Sequence, residues 1–245
     1  MAKNKKKICL FIVEGISDQT ALAVPLVNVF KKYTPLKNVK FEITHGDITS
    51  RLEVRPDNII AYIGKIVKKF MRQYKLKKED FAQIVQIVDT DGAYISPEYV
   101  RIDDKKKFVD YPHYTENEIY VPDKQGVDRI IERNTHKQEN LNKIYTLPKI
   151  MDTEYAVYYF SCNLDHVLYG VENLEENQKV NAAEKFAEKY KEDADDFLSL
   201  LESFYPKNIG RNRKESWDYI CQGQNSLRRN SNFILVFTDL DYWKI

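Results

Sequence analysis

Apolar positions recur along this chain in two alternating rhythms. Residues 7–13, KICLFIV, form a continuous apolar run rich in β-branched and aromatic side chains, which predicts a strand buried on both faces. Gly15 then marks a turn. Ser17 is the expected N-cap of a helix running to about Tyr33, with Leu22, Leu26, Val29 and Phe30 on its apolar face. Pro25 predicts a bend or break within it. Residues 39–44, VKFEIT, read as a second strand. Residues 55–74 return to helical spacing, with Ile59, Ile63, Ile66, Val67 and Phe70 on one face and lysines on the other. Residues 81–89, FAQIVQIVD, are apolar enough for a central strand.

This strand–helix–strand–helix–strand order implies βαβ crossovers, hence an α/β fold with a mainly parallel sheet flanked by helices. The rhythm is lost over residues 92–150, where tyrosine, proline and mixed charge alternate. These residues read as an insertion packed on the core, with a short helix at about 127–139. Residues 153–161, TEYAVYYFS, resume the strand pattern. Residues 176–205 and 215–229 read as helical, and residues 232–239, NFILVFTD, as a last strand. With no repeat and no low-complexity linker, residues 1–245 read as one elaborated domain. Its core would lie at about 7–91, 153–170 and 232–240, and its C-terminal part would be helical.

Composition narrows the class without naming an activity. The 245 residues, 43% hydrophobic and 31% charged, suffice for one full core and exclude a disordered or fibrous chain. The net charge of +1 gives no global attraction to nucleic acid, so such a partner needs a local basic patch. The candidate patches are residues 3–7, 105–108, 211–214 and 228–229. Cys9, Cys162 and Cys221 are widely spaced, with no Cys-x-x-Cys pair, which argues against zinc and for a reducing, cytoplasmic compartment. The apolar run at 7–13 is too short for a signal-peptide core. No stretch reaches the roughly 18 apolar residues that span a bilayer, so no membrane is expected.

The chemistry-bearing pattern is acidic. In a parallel sheet the strand carboxyl ends share one edge, where such folds bind ligands. Glu14 ends the first predicted strand, Asp18 falls in the first turn of the next helix, and Asp89 ends the third strand. Asp91 is two residues on, so strand periodicity points it to the same side as Asp89, and Gly92 then permits a sharp turn. Singly, each of these acids reads as a cap or turn residue. Converging on one edge they would repel one another, and a hard divalent cation, Mg²⁺ or Mn²⁺, would relieve the repulsion. Such an ion suits phosphodiester hydrolysis or transfer.

These residues carry a resemblance. FIVEGISDQTAL (11–22) followed by IVQIVDTDG (84–92) resembles the Toprim domain of bacterial primases, type IA and II topoisomerases, and OLD-type and RloB-like nucleases. The resemblance implies a Toprim-like, Rossmann-like fold with Glu14, Asp89 and Asp91 as metal-holding and catalytic residues. The acid four positions after the glutamate, typical of the OLD-like branch, maps onto Asp18. SCNLDHVLYG (161–170) stands where RloB-like proteins carry Asn-Pro-Cys-Phe-Glu, which maps Asp165 onto the glutamate as a further metal ligand. Cys162 replaces the proline and Leu164 the phenylalanine. The stretch 225–233 is similar to the end of that group.

The expected function is a divalent-metal-dependent endonuclease acting on RNA, including tRNA, or on DNA, in phage defence through abortive infection. OLD proteins often carry an ATPase, and this sequence has no Walker-type phosphate loop, so an ATPase partner would be a separate chain. A homodimer is also compatible with this reading. Arg228, with Arg229, is the candidate for stabilising phosphate charge during the reaction, and Arg211, Arg213 and Lys214 are the next candidates. His166, and His45 with Asp47, sit near the expected active edge, and Asp239 repeats the strand-end Asp-x-Asp spacing. The alternative is a catalytically silent metal- or nucleic-acid-binding regulatory module working with a separate ATPase. Nucleotidyl transfer would need a nucleotide-binding motif that the sequence lacks.

Overall fold

The computed structural model describes residues 7–35 and 37–239, the last without its side chain. β1 (Lys7–Val13) leads into α1 (Ile16–Tyr33), β2 (Lys37–Ile43), α2 (Ile59–Gln73) and β3 (Phe81–Asp89). β1 pairs in parallel with β2 on one side and β3 on the other. The insertion contributes β4 (Val100–Ile102), β5 (His113–Tyr114), β6 (Ile119–Val121) and α3 (Lys124–Ile144). The chain then forms the hairpin β7 (Lys149–Ile150) and β8 (Thr153–Phe160), with β8 parallel to β3. α4 (Leu164–Tyr169), α5 (Glu176–Lys189), α6 (Ala194–Ser203), α7 (Arg213–Ile220) and α8 (Leu235–Asp239) complete it. The main sheet runs β2-β1-β3-β8-β7 and is parallel except for its β7 edge, while β4-β6-β5 form a small second sheet.

Strand alternation sorts the core onto two faces. Cys9, Phe11 and Val13 of β1 join Val85, Ile87, Tyr158 and Phe160 under α1, α4, α5 and α6. Ile8, Leu10 and Ile12 join Ile84, Val88, Tyr155 and Tyr159 under α2, α3 and α7, around the buried Trp217. The protein is therefore a three-layer α/β structure, compatible with a Rossmann-like fold. A third, smaller cluster glues β4 and β6 to Ile130 of α3 and to Cys162 and Leu227. Among the described residues no helix is long and apolar enough to cross a membrane.

Five expectations are corrected. The N-cap of α1 is Gly15, not Ser17: the Asp18 carboxylate reaches back to accept the Gly15 N–H at 2.8 Å, which starts the helix two residues earlier. Pro25 lies buried inside a helix that continues past it. The helix expected at 127–139 runs through all of α3, and the one expected at 215–229 ends at Ile220 and gives way to turns. Residues 232–239 are not a strand. β7 pairs only with Thr153 and Glu154 of β8, and further along that edge the Asn232 side chain accepts the Tyr159 N–H at 2.8 Å where a strand partner would stand. Apart from one bridge between Phe160 and Ser231, the segment folds into tight turns and α8, burying Phe233 and Phe237.

Candidate functional site

The carboxyl ends of β1 and β3 open onto a cleft of about 750 Å³. Its floor holds Glu14, Asp18, Asp89 and Asp91. α4 contributes Asn163, Leu164 and Asp165, the insertion Asp110–Pro112 and Tyr114, and the start of α5 Glu176, Lys179 and Val180. Nine lining residues are Asp or Glu, and Lys179 is the one lysine among them. The cleft is therefore strongly anionic and admits a polyanion only if cations accompany it.

Each acid is fixed by a different local device. Glu14 follows the last buried residue of β1, and its Oε1 accepts the Asp89 N–H at 3.3 Å, tying the ends of the two strands together. Asp89 Oδ1 accepts the Leu164 N–H at 2.9 Å from the first turn of α4. That turn is set by Asn163, whose Oδ1 accepts the His166 N–H at 2.7 Å. Asp91 departs from the expected strand alternation. β3 ends at Asp89, and Asp91 has φ of 48°, in the left-handed region. Its carboxylate therefore turns to a different partner: Oδ2 accepts from Lys137 Nζ at 2.5 Å. The Asp91 carbonyl accepts from Arg133 at 2.8 Å, and its N–H donates to the Cys162 carbonyl at 2.7 Å. Gly92 follows with φ of 68°, and a Cβ there would stand 2.6 Å from Leu227 Cδ2.

Lys137 is the residue that the sequence reading missed. It comes from α3 in the insertion, is fully buried, and bridges Asp91 and Asp47, the latter at 2.8 Å. Burial alone would discharge it, but Asp47, Asp91 and Glu14 outweigh that and hold its pKa well above the ordinary lysine range. Burial also disfavours the Asp47 anion. Lys137, with hydrogen bonds from Ser50 and Thr49, prevails, and that carboxyl lies below its usual range. A signal for Lys137 existed in the sequence. Ile130, Asn134, Lys137, Leu141 and Ile144 recur at helical spacing and are all buried, so the lysine stands on the inward stripe of α3.

The other acids have no such cation. Burial, then Asp47, Asp91 and Asp18, push Glu14 well above the ordinary carboxylate range against the pull of Lys137. Burial, then Glu14, Asp18 and Asp91, do the same to Asp89. Burial raises Asp18, opposed by the Gly15 N–H, Ser17 and Lys179. Asp165 is 8% exposed, its Oδ1 has no hydrogen-bond partner, and burial pushes it up to about 6. The hard oxygen donors of this set suit Mg²⁺ or Mn²⁺, and the unrelieved repulsion among them calls for a cation. Among the described residues, however, no group of three or more His, Cys, Asp or Glu side chains stands in metal-holding geometry. Each of the floor acids is held instead by its own N–H or ammonium partner.

Other expected residues fall apart from this set. Arg228 is exposed and does not line the cleft; Arg229 donates to the Val167 carbonyl and lies over the Phe204 ring. Arg211 is paired with Glu202 and Lys214 with Asp218, both away from the cleft lining. His166 is buried, with its Nε2 3.6 Å from Glu172, and burial lowers its pKa. His45 does line the cleft, with φ of 56°. The side chain of Asp239 and residues 3–6 of the first basic run lie outside the described part. No protein-family model matches the chain, and no curated protein or solved structure is significantly similar to it.

Proposed function

We propose that this chain is a divalent-metal-dependent phosphodiester endonuclease of the Toprim kind, acting on RNA or DNA. The observation that carries the reading is the meeting of Glu14 and Asp89, 75 positions apart, at the carboxyl ends of adjacent parallel strands, where both are forced above their ordinary pKa. A carboxylate pair in that state is poised to exchange its protons for a cation. Glu14, Asp18, Asp89 and Asp165 would hold Mg²⁺ or Mn²⁺. When bound, the ion would polarise a phosphate oxygen and lower the pKa of an attacking water. Lys137 pairs with Asp91 and fixes it at the cleft floor, and Lys179, itself paired with Glu176 at 2.9 Å, is the one lysine of the lining that would meet an entering phosphate. A role in phage defence and a separate ATPase partner would follow from the resemblance to OLD-type and RloB-like nucleases, and the widely spaced cysteines would suit a reducing cytoplasm.

A second reading has its own support. Asp91 is already paired with Lys137, and among the described residues the acids stand apart from closed metal geometry. Both features suit a catalytically silent module that binds a cation or nucleic acid. Incubation of wild type and Glu14→Gln with RNA and DNA in Mn²⁺ separates the two. The nuclease reading expects cleavage by wild type and a loss of at least about 100-fold in the variant. Equal cleavage by both proteins contradicts it, as does the absence of cleavage with every substrate.

A further inference from the structure

The proposed activity leaves an electrostatic problem, because a phosphodiester backbone must approach a cleft lined by nine acids. A single lysine on the rim does not overcome that field. The cationic surface that could do so lies next to the cleft, on α2. Between Asp57 and Glu79 the sequence has seven lysines and arginines and no acid. The apolar face of α2, with Ile59, Ile63, Val67 and Phe70, is buried against the sheet, so its solvent face is left almost purely cationic. Lys65, Lys69 and Arg72 follow the i, i+4, i+7 spacing and form one exposed row about 10 Å long. Among the described residues, Lys65, Lys68, Lys69 and Lys75 form no ion pair, whereas Lys78, beyond the helix, is paired with Asp152. A solvated helix face that carried cations only for solubility would intersperse them with acids at i, i+4.

A groove of about 330 Å³ runs between this row and the edge strand β2, with Arg51, Tyr62, Lys65 and Lys69 in its walls and Glu42, which attracts Lys69, as its one acid. His45 lines both this groove and the acidic cleft, so the two adjoin at that residue. Arg51 fixes the junction. It donates to the Tyr62 hydroxyl at 2.7 Å on α2, and to the carbonyls of Thr44 and His45 at 2.7 and 3.1 Å.

We infer that the groove between β2 and α2 is the track for a nucleic-acid backbone, with Lys65 and Lys69 contacting phosphates and His45 marking where the strand passes into the acidic cleft. This inference rests on the nuclease reading above for the direction of the strand, but not for its binding. A lipid surface fits less well. A helix that lies on a membrane presents apolar side chains beside its cations, and those of α2 are committed to the core.

The test is the salt dependence of binding of a fluorescein-labelled oligouridine and of a labelled DNA duplex, in EDTA and in Mn²⁺. It compares wild type, Lys65→Glu/Lys69→Glu, and Lys185→Glu/Lys189→Glu on the exposed face of α5 as a control of equal charge. Both lysine pairs are exposed, so folding is checked by thermal melting alone. The track predicts that the α2 variant binds at least about tenfold more weakly, with a salt slope lower by about 2, and that the α5 variant binds nearly as wild type. Equal binding by wild type and the α2 variant overturns the track and leaves the nuclease reading standing. Failure of wild type to bind in either buffer overturns both. Loss of binding to phosphatidylserine vesicles in the α2 variant, with nucleic-acid binding unchanged, assigns the surface to lipid and also overturns the track.

Discussion

Lys137 Nζ lies 2.5 Å from Asp91 Oδ2, with the lysine wholly buried and the aspartate in a left-handed turn at the end of β3. This pair links the insertion to the carboxyl edge of the sheet. Through Asp47 it also ties down the loop after β2. Lys137→Met therefore leaves Asp47, Asp91 and Glu14 facing one another without a cation. Breaking one partner of a buried ion pair costs about 3 kcal/mol or more. Urea denaturation should show that loss, and Lys137→Met/Asp91→Asn should recover part of it, because one stranded charge is then removed. A single variant as stable as wild type would remove Lys137 from its structural role.

Gly92 should tolerate no side chain. Its φ of 68° strains any L residue, and a Cβ would meet Leu227 Cδ2 at 2.6 Å and Ile119 Cδ1 at 3.0 Å. Gly92→Ala is expected to lower stability by roughly 1–3 kcal/mol. It should also reduce any activity, because Asp91 precedes it in the same turn. Thermal unfolding reads the first effect, and an unchanged melting temperature would contradict the steric account.

The raised carboxylates set the pH dependence of the metal-free protein. A carboxyl with a higher pKa in the folded state than in the unfolded chain holds its proton more tightly when folded. Its contribution is therefore most favourable at low pH and is lost as pH rises through the folded value. For Asp165 that loss falls between about 4, the unfolded value, and about 6. In EDTA, stability should fall across this window, and Asp165→Asn should flatten the fall and raise stability near neutrality by roughly 2 kcal/mol. Denaturation curves at stepped pH decide this. A protein that gains stability steadily from pH 4 to 7 in EDTA would contradict the burial of uncompensated acids.

Much of the cleft was legible because its devices are local. The apolar runs of β1 and β3 end visibly at Glu14 and Asp89, and a parallel sheet must place those ends together. Asp18 sits where a helix start wants a carboxylate, although its reach back to Gly15 moved the N-cap that Ser17 was expected to supply. The errors came where tertiary context overrides a local pattern. Residues 232–239 are as apolar and β-branched as a strand, yet the Asn232 side chain takes the Tyr159 N–H of β8 and the chain turns into α8 instead of pairing. Asp91 matches Asp89 in spacing, yet its positive φ breaks the alternation that would have aligned them. Lys137 reads as one more surface lysine unless its stripe on α3 is followed across Ile130, Leu141 and Ile144. Arg228 has the right charge, but it follows a turn that leaves it exposed and outside the cleft.

The central claim is that Glu14 and Asp89, with their acidic neighbours, gather at the sheet edge to share a divalent cation. Titration calorimetry of Mn²⁺ into wild type and Asp89→Asn at neutral pH tests it most directly. The account predicts that wild type binds Mn²⁺ with release of protons, since Glu14 and Asp89 hold theirs above the usual range. It also predicts that the variant binds more than about tenfold more weakly. No binding by wild type, or equal binding by both proteins, would contradict it.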